Sequence, residues 1–547
     1  MIALLGGALA TRAMASAVPP PRVHIVPTAD GGAHESDGAA SVSWAPRSRI
    51  EPFRIKMVEP LKFTTRAQRA DALAHAGYNL FRIEADDVLL DFLTDSGTGA
   101  MSCAQWAAMI EADESYAGAR AWRKLETSFR RLFDFAWLLP THQGRAAERL
   151  LFAELGGPSA RFVANAFFDT TRANAEATGA TCVDLPGTAA DHAAGFGGNI
   201  DLDRLRAELA TGGVTAVVIT ATNNAGGGQP VSLSNMRAAS ALCRAASVPL
   251  VLDGCRFAEN AHFIRTREPA MASASIDEIV RAMSALFDVM TMSAKKDGLS
   301  NTGGWLALRD DALATRLQGR LIMTEGFTTY GGMAGRDMAA VAVGLEEATR
   351  PEYLEYRART VAYMAERLVA HGVPVVTPPG GHAVYLDASA MLPDVPRAQF
   401  PGQAVACALY VEGGLRACEV GALMFGADAA EAAGRRELVR LAFPRRMYTQ
   451  AHFDFAIEVC VRAHELCKAG QVRGMVITQG ADSPLRHFSA TMRPVDDAGA
   501  DAGRTGAAGA GADVRAARGA GRGGRRGGPA PSGAPAGMPA EVRSGAA

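Results

Sequence analysis

Four short apolar runs, over residues 214–220, 248–252, 287–292 and 304–308, punctuate the middle of this chain, and helical patterns over 234–246 and 276–286 separate the first three. The runs are continuous rather than alternating, so each predicts a strand covered on both faces. Strands alternating with helices in this way imply parallel βαβ units. The expected fold is therefore α/β: a large domain with a mostly parallel sheet, joined to a smaller α+β domain. In such sheets ligands sit beyond the carboxyl ends of the strands, which makes the residues after each run the first place to look for chemistry.

Those residues form an ordered set. The first run is followed by Asn223-Asn224-Ala225-Gly226-Gly227-Gly228, the second by Asp253-Gly254-Cys255-Arg256, and the third by Ser293-Ala294-Lys295-Lys296-Asp297. An amide, a carboxylate with a guanidinium, and an amine with a hydroxyl match the needs of pyridoxal phosphate. That cofactor requires a lysine to hold it as an imine, a carboxylate at its ring nitrogen, and donors for its phenolic oxygen and phosphate. Lys296 is the expected imine lysine and Asp253 the ring-nitrogen partner. Ser293 is expected on the phosphate, with Lys295 close by, and Asn224 and Arg256 at the phenolic oxygen. Earlier in the chain, Gln143-Gly144-Arg145 precedes a helical pattern. A glycine turn at a helix N-terminus offers free N–H groups to an anion and is the expected phosphate cup.

The 547 residues exceed one ordinary domain. With 48% hydrophobic and 21% charged residues the composition is that of a globular enzyme. A net charge of −1 gives no whole-chain case for nucleic acid or an anionic membrane. The 8 cysteines are scattered without a CxxC pair, which favours free thiols in a reducing cytoplasm. The apolar start, residues 2–10, lacks the preceding basic residue of an export signal. Residues 1–48 read as a disordered extension, 49–95 as the first part of the small domain, 96–350 as the large domain and 351–494 as the rest of the small one. The Ala/Gly/Arg-rich stretch 495–547 reads as a disordered tail. A non-catalytic protein with an RNA-binding Arg-Gly tail is the alternative from outside enzymology.

A longer series of motifs resembles the β-eliminating lyases, the family of tryptophanase and tyrosine phenol-lyase. It includes Leu93-Thr94-Asp95-Ser96-Gly97-Thr98-Gly99-Ala100, Asp113-Glu114-Ser115-Tyr116, Pro140-Thr141-His142-Gln143-Gly144-Arg145, Phe167-Phe168-Asp169-Thr170-Thr171, Glu325-Gly326-Phe327-Thr328-Thr329-Tyr330 and Leu438-Val439-Arg440-Leu441. The resemblance implies an aspartate-aminotransferase-like fold (type I of the pyridoxal-phosphate enzymes) and a homotetramer with active sites at a dimer interface. It makes Lys296 the base for the substrate α-proton, stacks Phe168 on the cofactor ring, and sets Arg440 on the substrate carboxylate with Thr94 and Ser96 nearby. It makes Tyr116 the acid that protonates the leaving ring, reached from a neighbouring subunit. It also implies a potassium-type site at Glu114, Asn301 and the Gly97 backbone. Segments 151–161 and 173–202 look shortened against the family pattern.

Three positions speak to the leaving group. Asp169 follows the Phe-Phe pair where phenol-lyase-like chains carry threonine. Val420 stands where those chains place an arginine, and His487 where they carry phenylalanine. An indole N–H only donates, so an acceptor such as Asp169 suits it, and Val420 makes an apolar wall. The expectation is tryptophan cleavage to indole, pyruvate and ammonia, with a phenol-lyase, a broader S-substituted cysteine lyase or an aminotransferase as rivals.

Overall fold

The computed structural model describes residues 51–55, 57–426 and 435–495. The expected extension 1–48 and nearly all of the expected tail lie outside them. A seven-stranded sheet carries the larger core. Its strands are β1 (Trp137–Thr141), β2 (Arg161–Ala164), β3 (Thr181–Asp184), β4 (Ala216–Thr220), β5 (Leu250–Asp253), β6 (Val289–Ser293) and β7 (Gly304–Leu308). The spatial order is β1-β7-β6-β5-β4-β2-β3. Every pair is parallel except those of β7, which runs antiparallel to both β6 and β1. This is the mostly parallel sheet the apolar runs require.

Local causes are visible in each element. All five residues of β4 are buried, and its Val217, Val218 and Ile219 suit a pleated, covered surface. Pro140 is tolerated in β1 because that strand is an edge, where a missing N–H costs no ladder bond. Ser232 caps the helix Leu233–Ala245 through Asn235 N, and Ser275 with Glu278 forms a capping box on the helix Ile276–Ser284.

The second core combines distant parts of the chain. Leu73, Leu80 and Phe92 pack in one cluster with Leu409, Phe443 and Phe453. Leu90–Asp91 pairs in parallel with Leu415–Arg416. Beside this cluster lies an antiparallel sheet of β8 (Ala383–Asp387), β9 (Cys418–Val420) and β10 (Leu438–Ala442), ordered β9-β10-β8. Its register sets Arg440 opposite both Cys418 and Tyr385.

All eight cysteines are free. Burial pushes the thiols of Cys407, Cys460 and Cys467 up to about 12, so they stay protonated and unreactive. No helix among the described residues is long and apolar enough to cross a membrane.

Candidate active site

The carboxyl ends of β4, β5 and β6 lie side by side, with Thr220 level with Asp253 and Asp253 level with Thr291. An open cavity of about 90 Å³ sits at these ends. Its wall brings together Lys296, Lys295, Asp253, Arg256, Asn224, Ser293, Phe168, Gln143, Gly144, Arg145, Arg440, Thr94 and Ser96. Asp95, Glu148, Thr170, Thr220 and Cys255 complete it.

One end of the cavity is shaped by Gly144. A Cβ on that residue would lie 2.6 Å from Ser293 Cβ, so the start of the helix Gly144–Leu155 presses its bare backbone against the end of β6. Gln143, the residue before the helix, makes no side-chain cap bond. The first N–H groups of a helix have no partner within it and attract an anion. Burial, then Lys296 and Arg145, push the Lys295 amine down from its ordinary value, as expected of a cation crowded by cations. At the opposite chemical pole Asp253 is a buried carboxylate whose Oδ1 accepts only a long bond, 3.3 Å, from Cys255 N. Thr220 Oγ1 and Arg440 Nε are buried without a partner among the described residues. An anion cup, a buried carboxylate, adjacent amines and orphaned polar atoms on one wall fit a phosphorylated pyridine ring.

Glu148 is a site residue that sequence reading missed. Its carboxyl is buried and accepts hydroxyl bonds from Thr171 (2.7 Å) and Thr170 (3.1 Å). Burial, and next the charge of Asp253, raise it to about 7. The folded protein therefore keeps a proton that the unfolded chain loses above about pH 4.5, and this contribution to stability is present below that pH and lost as pH rises through about 7. Glu148→Gln, which never ionises, is expected to flatten the decline in melting temperature between pH 4.5 and 7. Thermal unfolding of both proteins across that range checks it; parallel curves would refute it. The signal available in sequence was its place one helical turn after the Gln143 turn, on the same face as Gly144.

From the wall inward runs a continuous set of buried charges. Asp95 takes a bidentate fork from Arg256, at 2.9 Å to Nε and 2.7 Å to Nη2. Arg445 Nη1 reaches Asp95 Oδ2 at 2.9 Å, while Arg445 Nη2 reaches Glu259 at 2.9 Å and Asp297 at 2.8 Å. Arg357 closes on Glu259 at 3.0 Å. Asp297 follows Lys296 directly, so the network anchors the loop that carries the expected imine lysine. Arg256 thus holds its Nε and Nη2 on Asp95, a partner that the sequence-based placement at the phenolic oxygen did not include.

Arg440 is aimed by its neighbours. Its Nη1 donates to Asn224 Oδ1 at 3.0 Å and its Nη2 to Leu93 O at 3.1 Å. Tyr385 Oη donates to the same Asn224 oxygen at 2.8 Å. Asn224 therefore steers Arg440 as well as facing the cavity.

Several expected residues lie off the cavity wall. Asp169 is buried, with Oδ2 3.0 Å from His487 Nε2 and Oδ1 accepting from Thr170 N at 2.6 Å. Its acceptors are engaged within the protein, and His487 Nδ1 is the buried atom left without a partner. Val420 is buried at the end of β9 with Met424 and Tyr385 in its cluster. Tyr116 is exposed and stacks on Phe327 at 5.6 Å, beside Tyr330. Glu114 accepts from Gly335 N at 2.7 Å and Arg336 N at 3.2 Å, at the start of the helix Gly335–Ala348. Asn301 Nδ2 donates to Gly97 O at 2.9 Å and to Gly99 O at 3.2 Å.

Comparison with known proteins agrees with this chemistry. Residues 91–458 match the beta-eliminating lyase family. The chain is 54% identical over 452 residues to a tryptophanase of Salinibacter ruber, covering 81% of this chain and 95% of that one. It is 55% identical over 453 residues to a tryptophanase of Hyphomonas neptunium, covering 81% and 98%. It is 43% identical over 472 residues to a tyrosine phenol-lyase of Intrasporangium calvum, covering 84% and 99%. With a matching family domain, strand ends bearing Lys296 and Asp253, and relatives aligned over most of its length, the chain belongs to the beta-eliminating lyases, enzymes that work with pyridoxal phosphate.

Proposed function

We propose that the chain cleaves L-tryptophan by β-elimination to indole, pyruvate and ammonia. The observation that carries the substrate is the 54–55% identity to two tryptophanases across 81% of the chain, against 43% to a tyrosine phenol-lyase. Pyridoxal phosphate, when bound, supplies an electron sink for the charge left at the substrate α-carbon. Gln143, Gly144, Arg145, Ser293 and Lys295 would hold its phosphate, Phe168 would cover its ring, and Asn224 and Arg256 would serve its phenolic oxygen. Asp253 would keep a proton on the ring nitrogen. Arg440, aligned by Asn224, grips the substrate carboxylate, with Thr94 and Ser96 beside it. Lys296 is the amine that would hold the cofactor and, once free, would take the α-proton. Tyr116 donates a proton to indole C3, so that a poor carbon leaving group departs neutral.

The leaving ring is received by Val420 and by His487, which Asp169 orients through Nε2. Nδ1 of that ring is then an acceptor suited to an indole N–H. On the same reading the enzyme is a cytoplasmic homotetramer, and a monovalent cation such as potassium binds near Glu114, Asn301 and the Gly97 carbonyl. Exposed apolar side chains at Trp106, Ile110, Tyr116 and Met323 support burial against a second copy.

Incubating the purified holoenzyme with tryptophan and measuring indole and pyruvate tests the reaction. Phenol released from tyrosine, or pyruvate from S-methylcysteine alone, would replace it with one of its rivals. Asp169→Thr combined with Val420→Arg is expected to lower kcat/KM for tryptophan by about 100-fold, since both removes the orienting partner of His487 and fills the apolar wall with a charge. S-methylcysteine, whose leaving group is small, should be cleaved nearly as before. An equal loss on both substrates would sink the assignment of this wall.

A further inference from the structure

Strand β9 ends at Val420, and the chain passes through Gly421 into a single turn, Ala422–Phe425. Two buried carboxyls close on the start of that turn. Glu419 Oε1 accepts from Leu423 N at 3.0 Å and Oε2 from Met424 N at 3.1 Å. Both oxygens of Glu437 lie 3.1 Å from Ala422 N. The two groups converge on Gly421, where a Cβ would come within 2.8 Å of Glu419 Oε1 and closer still to Glu437 Oε2. Carboxyls buried together do not both stay ionised. Burial, and next Glu437, push Glu419 up to about 8, while Arg397 at 3.4 Å favours the charge on Glu437. Burial raises Glu437 as well, against the pull of Arg397, so of the two Glu419 is the carboxyl more disposed to keep a proton.

The other end of the turn is held from a different part of the chain. Arg486 Nη2 donates to Ala422 O at 2.7 Å and Nε to Leu423 O at 3.0 Å. The residue after it is His487, which pairs with Asp169. Val420 precedes the turn and Met424, within it, packs in the same cluster. One turn therefore links the apolar wall to the imidazole.

We propose that Glu419 and Glu437 are positioning residues for the leaving group: through the 421–425 turn and Arg486 they hold Val420 and the His487–Asp169 pair in one arrangement. The inference deepens the reading that an aromatic leaving group is received here, and rests on it. Neither carboxyl lines the cavity, so the cofactor is held independently of them.

The test compares Glu419→Ala and Glu419→Gln as full-length holoenzymes, by kinetics and by hydrogen exchange. Glu419→Ala is expected to raise KM for tryptophan about 10-fold, as misplacement of a binding wall does, with S-methylcysteine kinetics and the cofactor absorbance unchanged. Amide exchange should quicken both at 421–425 and at 486–490. Glu419→Gln keeps one acceptor for the two backbone N–H groups and should recover part of both readouts. Equal losses on the two substrates, or faster exchange confined to 421–425, would overturn the proposal. If Glu419→Ala fails to fold, Arg486→Gln cuts the same link from the other side; it should cost tryptophan selectively while the 421–425 amides stay protected, and an unchanged selectivity would refute the coupling. A wild-type enzyme inactive on tryptophan, together with exchange that spreads to 486–490 in Glu419→Ala, would sink the substrate reading and leave the linkage standing. Tryptophan cleavage with exchange confined to the turn would do the reverse.

Discussion

Lys296→Ala is expected to abolish the visible absorbance that a lysine-bound pyridoxal phosphate gives, and to lower turnover of tryptophan by about 10²–10⁴-fold, the range lost with a positioned base. On the proposed mechanism the same amine holds the cofactor and moves the α-proton, so both readouts should fall together. Lys295→Ala provides the contrast. Lys295 leans on Gly97, where a Cβ would lie 2.5 Å from its Cε, and it stands among the cations at the phosphate end. Its loss should weaken cofactor retention and leave the absorbance band in place at saturating cofactor. A Lys296→Ala protein with an unchanged spectrum, or a Lys295→Ala protein without the band, would transfer the role to the neighbouring residue.

Asp95→Ala is expected to destabilise the fold by about 3–5 kcal/mol, the usual cost of stranding a buried partner charge. Here the buried Arg256 guanidinium would lose its paired carboxylate, while Arg445 would keep Glu259 and Asp297. Asp95→Asn keeps the shape and should cost less. The carboxyl also sets an acid limit. Burial alone would raise it, but Arg256 and Arg445 together outweigh burial and hold it well below its ordinary value of 3.8. A depressed carboxylate contributes stability above its unfolded-state value that is lost as pH falls through the lower folded-state one. Chemical denaturation of the wild type and Asp95→Asn from neutral to acid pH checks this, with the gap between them expected to close below pH 3.8. A constant gap would mean that Asp95 acts by shape alone.

The parts of the site that were legible in sequence are those that end strands. The runs at 214–220, 248–252 and 287–292 became β4, β5 and β6, each ladder starting two residues later than its run. Val214 and Phe287 are buried before pairing begins, and apolar character reports burial, not hydrogen bonding. At the other end Asp253 and Ser293 proved to be the last strand residues, so the chemistry begins within the ladder. The run at 304–308 became β7 with its limits unchanged, but its antiparallel direction was not legible, because a covered strand has the same composition in either sense. β2 and β3 passed unnoticed; β3, at the sheet edge, has exposed and half-buried residues and so no continuous apolar run to announce it. Glu148 and Asp95 were missed as functional residues for another reason: an acid's meaning depends on what desolvates it. The pairing of Asp169 with His487 across 318 positions has the same cause, since no local spacing announces a contact between chain segments so far apart.

The reversed direction of β7 bears on how the enzyme matures. β1, which carries the chain into Gln143 and Gly144, has β7 as its one neighbour in the sheet. The anion cup consequently lacks its supporting ladder until the ribosome has passed residue 308, and the core that joins Leu73–Phe92 to Phe453 must wait longer still. Pairings this distant in sequence form late and slowly. A nascent chain stalled before β7 would hold Asp253 and Lys296 but leave the strand that leads into Gln143 and Gly144 without its ladder partner.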